Sequence, residues 1–436
     1  MVRLAVEEAV RRGASYPHAV LSWVDTDGFP VSVAGPFRSA GEEVRVGPLS
    51  GSVRPAAGQE VCLTFSHIRP QPGVGYDQRR YVNLWGPATE DGDEVAIRAV
   101  RASGWDEAET PFVEYAERNV GTGLAFLAER GRRPRLPAFW RFFLATRLPF
   151  LTATIVPVAL GGAVAAHDGR FAWGWWLLAL VSAVAAHLGI NIANDLADAE
   201  GSDAVNVTPT PFSGGSRVLQ YELMSRQRLL ALALAMFGVS AAIGLWLAAA
   251  RSWWLLALGA AGLVLGAGYS VPPLRLVHRG LGEPVVALGF GPLMTAGTYL
   301  AVTRDWSWPA VYASLPVGIL IALVLYVNQV PDRRADEAVG KRTLIVRWSR
   351  ERVIGAYAAS VAVAFALIAL GPVLDDQPAW TLIALPAIAL ARPVLTGLRE
   401  SYDAPYGLLK AMAANIGLHF ATGLLLTAGW LLAAVL

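Results

Sequence analysis

Two polar clusters interrupt the apolar stretches of this 436-residue sequence, and both are built from carboxylates and amides. In NIANDLADAEGSD, residues 191–203, Asn191, Asp195 and Asp198 are spaced i, i+4, i+7, with Asn194 between them and Asp203 following in the loop. A helix carries side chains at that spacing on one face. In NQVPDRRADEAVGKRTL, residues 328–344, Asn328, Asp332 and Asp336 repeat the pattern as i, i+4, i+8. Carboxylates clustered at the edge of an apolar stretch repel one another and are costly to desolvate. A divalent cation removes both penalties. Mg²⁺ takes hard oxygen ligands, keeps several waters and commonly bridges carboxylates to substrate phosphates. Two such motifs facing one cavity therefore read as a site for metal-bound diphosphate. Arg217 follows the first motif in PTPFSGGSRVL, and Lys341 and Arg342 follow the second. These cations could contact diphosphate oxygens and stabilise a leaving group.

Either motif alone also suits a helix cap or a solvated terminus; the pair, on matching helix ends, points to a site. Pro331 removes one backbone donor and is expected to kink or end its helix, which would aim Asp332 and Asp336 or merely terminate the element. A third segment, GYSVPPLRLVHRGLGEP at 268–284, holds Tyr269, Arg275 and Glu283 in a turn stiffened by Pro272, Pro273, Gly280 and Gly282. His278 has no partner at metal-ligand spacing and reads as a loop residue.

The elements that position these groups are apolar helices. Hydrophobic residues make up 54% of the chain and charged residues 16%, but the average hides a split. Residues 1–135 are mixed and polar. Beyond them come about nine stretches of the ~20 residues that cross a bilayer, near 143–166, 173–193, 229–250, 253–271, 284–303, 309–329, 353–373, 379–396 and 408–435. Trp173, Trp175, Trp176, Trp253, Trp254, Trp306 and Trp308 flank them as interface belts do. One set of alternate loops carries most of the arginines and lysines, including Arg217, Arg226, Arg228, Arg275, Arg333, Arg334, Lys341 and Arg342. The other carries little beyond Arg170, Arg251 and Arg304. The first set, and with it both Asp-rich motifs, is expected in the cytoplasm. The opening MVRLAVEEAVRRG is too charged for a signal peptide, which places the first domain on the same side. The basic segment RGRRPRLPAFWR, 130–141, suits anionic headgroups at the inner leaflet and equally a solvated linker. A net charge of +2 argues against a nucleic-acid partner, and the single Cys62 excludes an intrachain disulfide or a cysteine metal cluster.

The first 128 residues read as β-rich. HAVLSWVDTDGFPVSVAG, 18–35, is a hairpin around Asp-Thr-Asp-Gly, and EEVRVGPL, EVCLTFSHI, RRYVNLWGPATE and DEVAIRAVRASGW continue the strand pattern. The spacing predicts a small β-barrel, then a helix over 107–129. The expected organisation is thus a β domain at 1–128, a basic linker at 129–139 and an all-α transmembrane bundle at 140–436.

Taken together, Asn-Asp-x-x-Asp, Asn-x-x-x-Asp-x-x-x-Asp and the intervening Tyr-Ser-x-Pro-Pro resemble the UbiA prenyltransferase superfamily over residues ~138–436. The tails PTPFSGGSRVL and GKRTL resemble its menaquinone branch, the 1,4-dihydroxy-2-naphthoate prenyltransferases. The resemblance implies nine helices and a Mg²⁺-dependent transfer from a prenyl diphosphate to an aromatic acceptor. Asn191, Asp195, Asp198, Asp332 and Asp336 match its metal and diphosphate positions, with Asn194, Asp203 and Asn328 inside the same motifs. It further implies Tyr269 near the allylic cation, Arg275 paired with acid or phosphate, and a prenyl tail among the helices. The N-terminal region resembles pyridoxamine 5′-phosphate oxidase-like split barrels, which implies flavin, with Arg79, Arg80, Arg98 and Arg101 toward its phosphate; strand-edge arginines are as readily solvated, and a barrel that only regulates or docks fits the sequence equally well. Two other functions stay in view: a UbiA-type enzyme or terpene cyclase with a different acceptor, and a cation transporter. A transport site usually lies near the bilayer midplane among broken helices, whereas these carboxylates sit at helix ends beside Arg-rich loops.

Overall fold

The computed structural model describes residues 3–49, 54–72 and 75–436, so Met1 and Val2 of the opening stretch lie outside the described residues. The chain divides into two compact units, Met1–Phe126 and Leu127–Leu436.

The first unit is an antiparallel sheet. Its elements are β1 (Arg3–Leu4), α1 (Val6–Gly13), β2 (Ala19–Val24), β3 (Pro30–Gly35), β4 (Phe37–Ala40), β5 (Glu43–Val46), β6 (Glu60–Gln71), β7 (Gly75–Asp91), β8 (Glu94–Arg98) and β9 (Arg101–Asp106). The strand order is β3-β2-β6-β7-β8-β5-β4, with β9 pairing both β7 and β1. The expected hairpin forms, with Ala19 opposite Gly35 and Val24 opposite Pro30. Asp25 holds its turn by accepting from the amides of Asp27 at 3.0 Å and Phe29 at 2.8 Å, an Asx turn. Alternate residues of β2 point inward, so Ala19, Leu21 and Trp23 join Leu63, Phe65, Leu84 and Ile97 in one core. Helix α2 begins at Phe112, after Pro111, and ends at Glu129.

The second unit is a bundle of apolar helices: α3 (Ala138–Thr146), α4 (Thr152–His167), α5 (Trp173–Asp198), α6 (Ser202–Val205), α7 (Arg226–Ala250), α8 (Trp254–Ser270), α9 (Gly282–Leu288), α10 (Met294–Thr303), α11 (Trp308–Ala338), α12 (Leu344–Arg347), α13 (Arg350–Leu374), α14 (Ala391–Glu400) and α15 (Leu409–Val435). A π-helical turn, Gly289–Leu293, joins α9 to α10, and a 3-10 run, Ala379–Leu390, leads into α14. Among the described residues, eight continuous helical segments are long and apolar enough to cross a membrane. The fourth expected span is the shorter helix Trp254–Ser270; its 17 residues rise only ~25 Å. Small residues let backbones meet. A Cβ at Gly291 would lie 2.9 Å from Cα of Gly318, and one at Gly161 would lie 2.6 Å from the carbonyl oxygen of Thr295. Close approach of this kind is how helices pack where lipid removes the hydrophobic drive.

Two local expectations are corrected. Pro331 does not end its helix, since α11 continues to Ala338 and carries the whole Asn328–Asp336 motif. Asp203 lies in the single-turn helix α6 rather than in a loop.

Candidate active site

Helices α5 and α11 bring the two polar motifs to one end of a cavity of about 750 Å³. Asn191, Asn194 and Asp198 line it from α5, and Asn328, Asp332 and Asp336 line it from α11. Asp203, Tyr269 and Lys341 complete the polar end, while Phe237, Leu258, Leu263, Phe290 and Leu325 are among the apolar residues lining the remainder.

The carboxylates do not face one another unscreened. Lys341 lies between two of them, with Nζ 3.1 Å from Asp198 and 3.4 Å from Asp336. Burial would lower its basicity, yet the two carboxylates hold the ammonium above its ordinary value. Asp195 is buried and paired with Arg147, and it also accepts from the amide of Ser216 at 3.2 Å. Asp332 accepts from Nδ2 of Asn206 at 2.8 Å and from the amide of Gly214 at 2.9 Å. Burial pushes the Asp203 carboxyl up to about 7, against the pull of Arg147.

The Ser-Gly-Gly-Ser run contributes backbone rather than cation. Gly214 and Gly215 both have φ of +76°, and a Cβ on Gly215 would lie 2.1 Å from Oδ2 of Asp203. Only glycine fits that turn, which aims two amides at Asp332 and Asp195. Arg217 points elsewhere: it donates to the backbone carbonyl of Asp203 and lies 5.6 Å from the Tyr221 ring. Arg275 and Arg342 are exposed and do not line the cavity. Their backbones explain this: Arg275 has a left-handed φ of +41°, and Arg342 donates its amide to His278 at 3.2 Å. The cations that do reach the carboxylates are Lys341 and Arg147. Arg147 escaped the sequence reading, although an arginine inside the first apolar stretch, 143–166, was the available signal. Asn206 and Gln329, both on the cavity wall, were missed as well.

Among the described residues, no three His, Cys, Asp or Glu side chains converge tightly enough to hold a metal ion. The cause is visible in the pairings, since lysine, arginine and amide donors separate the acids. The donor set still suits a hard cation, because it consists of carboxylate and amide oxygens. Oδ1 of Asn328, buried in the same wall, has no partner among the described residues.

The UbiA prenyltransferase family profile matches residues 155–405, a segment that contains both motifs and the loop between them. The chain belongs to the UbiA prenyltransferase family. It is a prenyltransferase with a multi-pass, membrane-type bundle. It is 30% identical over 297 residues to the 2-carboxy-1,4-naphthoquinone phytyltransferase of Synechocystis sp., covering 67% of this chain and 94% of that one. It is 24% identical over 288 residues to the 1,4-dihydroxy-2-naphthoate octaprenyltransferase of Bacillus subtilis, covering 66% and 91%. A solved structure of a UbiA homologue from Archaeoglobus fulgidus bound to DMAPP and Mg²⁺ superposes with a TM-score of 0.48 at 17% identity, covering 66% of this chain and 99% of that one.

In the β unit, two of the four arginines expected at a flavin phosphate, Arg79 and Arg101, are held in ion pairs. Arg79 donates through Nε to Glu107 at 3.1 Å and lies 4.0 Å from the Phe112 ring. Arg80 lies 5.4 Å from the Tyr16 ring, on the wall of a small pocket of about 220 Å³. Arg101 pairs with Glu60 at 2.7 Å.

Proposed function

We propose that this UbiA-family enzyme transfers a prenyl group from a prenyl diphosphate to 1,4-dihydroxy-2-naphthoate, the step that attaches the tail in menaquinone biosynthesis. The observation that carries the reading is the polar end of the cavity, where carboxylates of α5 and α11 meet at the head of a long apolar space. A prenyl diphosphate has that same division between a charged head and an apolar tail. The acceptor class rests on relatives named for naphthoate or naphthoquinone substrates.

Asp195, Asp198, Asp203, Asp332 and Asp336 would hold Mg²⁺ and the diphosphate, with Asn191, Asn194 and Asn328 as neutral oxygen donors. Bound Mg²⁺ would supply Lewis-acid charge that makes the diphosphate a better leaving group. Lys341 and Arg147 add fixed positive charge beside the departing oxygens. The allylic C–O bond breaks with its electron pair on pyrophosphate, and a ring electron pair forms the new C–C bond. The ring loses its carboxylate as CO₂, so prenyl enters, and pyrophosphate and CO₂ leave, with no net proton. Tyr269 lines the cavity near Lys341, where its ring can face the allylic cation. Arg217 acts by holding the loop.

The arginine distribution supports placing the site and the β unit on the cytoplasmic face of the cell membrane, with nine crossings when Trp254–Ser270 is included. The strand order supports reading the β unit as a split barrel. With Arg79 held by Glu107 and Arg101 by Glu60, Arg80 and the exposed Arg98 are left of the four arginines to meet a flavin phosphate. The absorbance spectrum of the purified chain tests that feature: a bound yellow chromophore favours it, and a colourless protein that titrates no flavin ends it.

The enzyme assay is direct. Purified protein given Mg²⁺, a prenyl diphosphate and dihydroxynaphthoate should release pyrophosphate and yield a prenylated, decarboxylated ring by mass spectrometry. A folded protein that turns over another acceptor but not this one would overturn the acceptor.

A further inference from the structure

Helix α11 changes character along its cavity face. Ile321, Val324 and Leu325 line the apolar part, Asp332 and Asp336 line the polar end, and Asn328 and Gln329 sit at the junction. Gln329 is 6% exposed, and neither its Oε1 nor its Nε2 has a hydrogen-bond partner among the described residues. A buried amide with both ends unmatched is costly, and such groups call for an explanation. Of the other cavity amides, Asn328 also has an unmatched Oδ1 among the described residues, while three have partners. Asn191 donates to the Thr146 carbonyl at 3.1 Å, Asn194 accepts from Ser270 at 2.8 Å, and Asn206 donates to Asp332 at 2.8 Å.

The position and chemistry of Gln329 select what it can bind. The diphosphate end is served by carboxylates with Lys341 and Arg147, so a neutral amide adds little charge there. The tail is hydrocarbon and offers no hydrogen bond. At the junction, where the reacting carbon must lie, the remaining polar ligand is the acceptor. Its carboxylate would be better met by a cation. Its ring hydroxyls each donate and accept, which matches one amide N–H and one amide carbonyl.

We infer that Gln329 hydrogen-bonds one ring hydroxyl of the aromatic acceptor and so selects it, a reading that rests on the acceptor class proposed above. A site built to pair a substrate hydroxyl discriminates strongly against ligands lacking it, because the protein group is then left unmatched.

The test uses the full-length protein with a prenyl diphosphate and Mg²⁺. KM is measured for 1,4-dihydroxy-2-naphthoate, and inhibition constants are measured for 1-hydroxy-2-naphthoate and 4-hydroxy-2-naphthoate. Gln329→Met keeps the side-chain volume. It should raise the acceptor KM roughly ten- to hundredfold and weaken only the analogue that keeps the contacted hydroxyl. The KM for prenyl diphosphate should stay at its wild-type value. Gln329→Asn, which shortens the reach, should shift the same constants in the same direction and serves if the methionine variant does not fold. An unchanged acceptor KM in a folded variant, equal weakening of both analogues, or a loss falling on prenyl diphosphate overturns the assignment. Wild-type protein that turns over no dihydroxynaphthoate overturns the acceptor class and this assignment together; intact wild-type turnover separates the two failures.

Discussion

At the residue scale, Lys341 holds Asp198 and Asp336 together, and its removal leaves the buried Asp336 and the half-buried Asp198 without their shared cation. Breaking a buried ion pair from one side typically costs ~3–5 kcal/mol. Lys341→Met should therefore lower Tm markedly in Mg²⁺-free detergent, and Mg²⁺ should restore part of the loss by screening the same acids. A Tm that falls without any response to Mg²⁺ would argue that these acids do not meet the metal. Asp332→Asn is gentler on the fold, because an amide oxygen still accepts from Asn206 or Gly214. It should keep Tm within a few degrees while lowering turnover by at least about 100-fold, the scale of losing one charge-stabilising group. The carboxylates themselves were legible as i, i+4 repeats, because neighbours on one helix face are set by local geometry. Their partners were not. Arg147 lies 48 residues from Asp195 and Lys341 lies 143 from Asp198, and no local rule connects such distances. Arg217, though near in sequence, turned away because its backbone is left-handed at φ +61°.

At the element scale, hydropathy located the eight long apolar helices among the described residues, since ~20 apolar residues have few alternatives to spanning. It could not reveal how closely the helices approach, because that depends on which glycines face a neighbour. A Cβ at Gly318 would stand 2.5 Å from the carbonyl oxygen of Ala287, whereas one at Gly355 would meet nothing within 4 Å. Gly318→Ala should cost about 1–3 kcal/mol by forcing α11 away from α9. Gly355→Ala should be neutral, or gain up to ~1 kcal/mol of helix propensity. Thermal unfolding in one detergent compares them directly, and equal effects would mean that the α9–α11 contact is looser than described. Pro331 shows a second limit. Its ring removes one donor, yet packing of α11 against its neighbours carries the helix past it and keeps Asn328, Asp332 and Asp336 on one cavity wall.

At the scale of the whole molecule, the two units differ in what they must do. The β unit has its own core and its own ion pairs. The Arg79 guanidinium, hydrogen-bonded to Glu107, holds that carboxyl below the usual carboxylate range. A carboxyl with a depressed folded-state pKa stabilises the fold above its unfolded value of ~4.3, and that stability is lost as pH falls through the folded value. Acidification from pH 6 to 3 should lower the β unit's unfolding temperature, and Glu107→Gln should start lower and fall less steeply. The membrane unit contains all of the family match, residues 155–405, and the aligned relatives use 94% and 91% of their own lengths in matching about two thirds of this chain. A nearly whole relative therefore corresponds to part of this protein. Every residue assigned here to the diphosphate and acceptor lies between Arg147 and Lys341, so residues 127–436 should suffice for prenyl transfer. Expressed alone, that segment should be monodisperse in detergent and should retain most of the turnover and the same acceptor KM. A folded but inactive segment would mean that the β unit takes part in the transfer itself, and the search for its role would move from a separate activity to the reacting substrates.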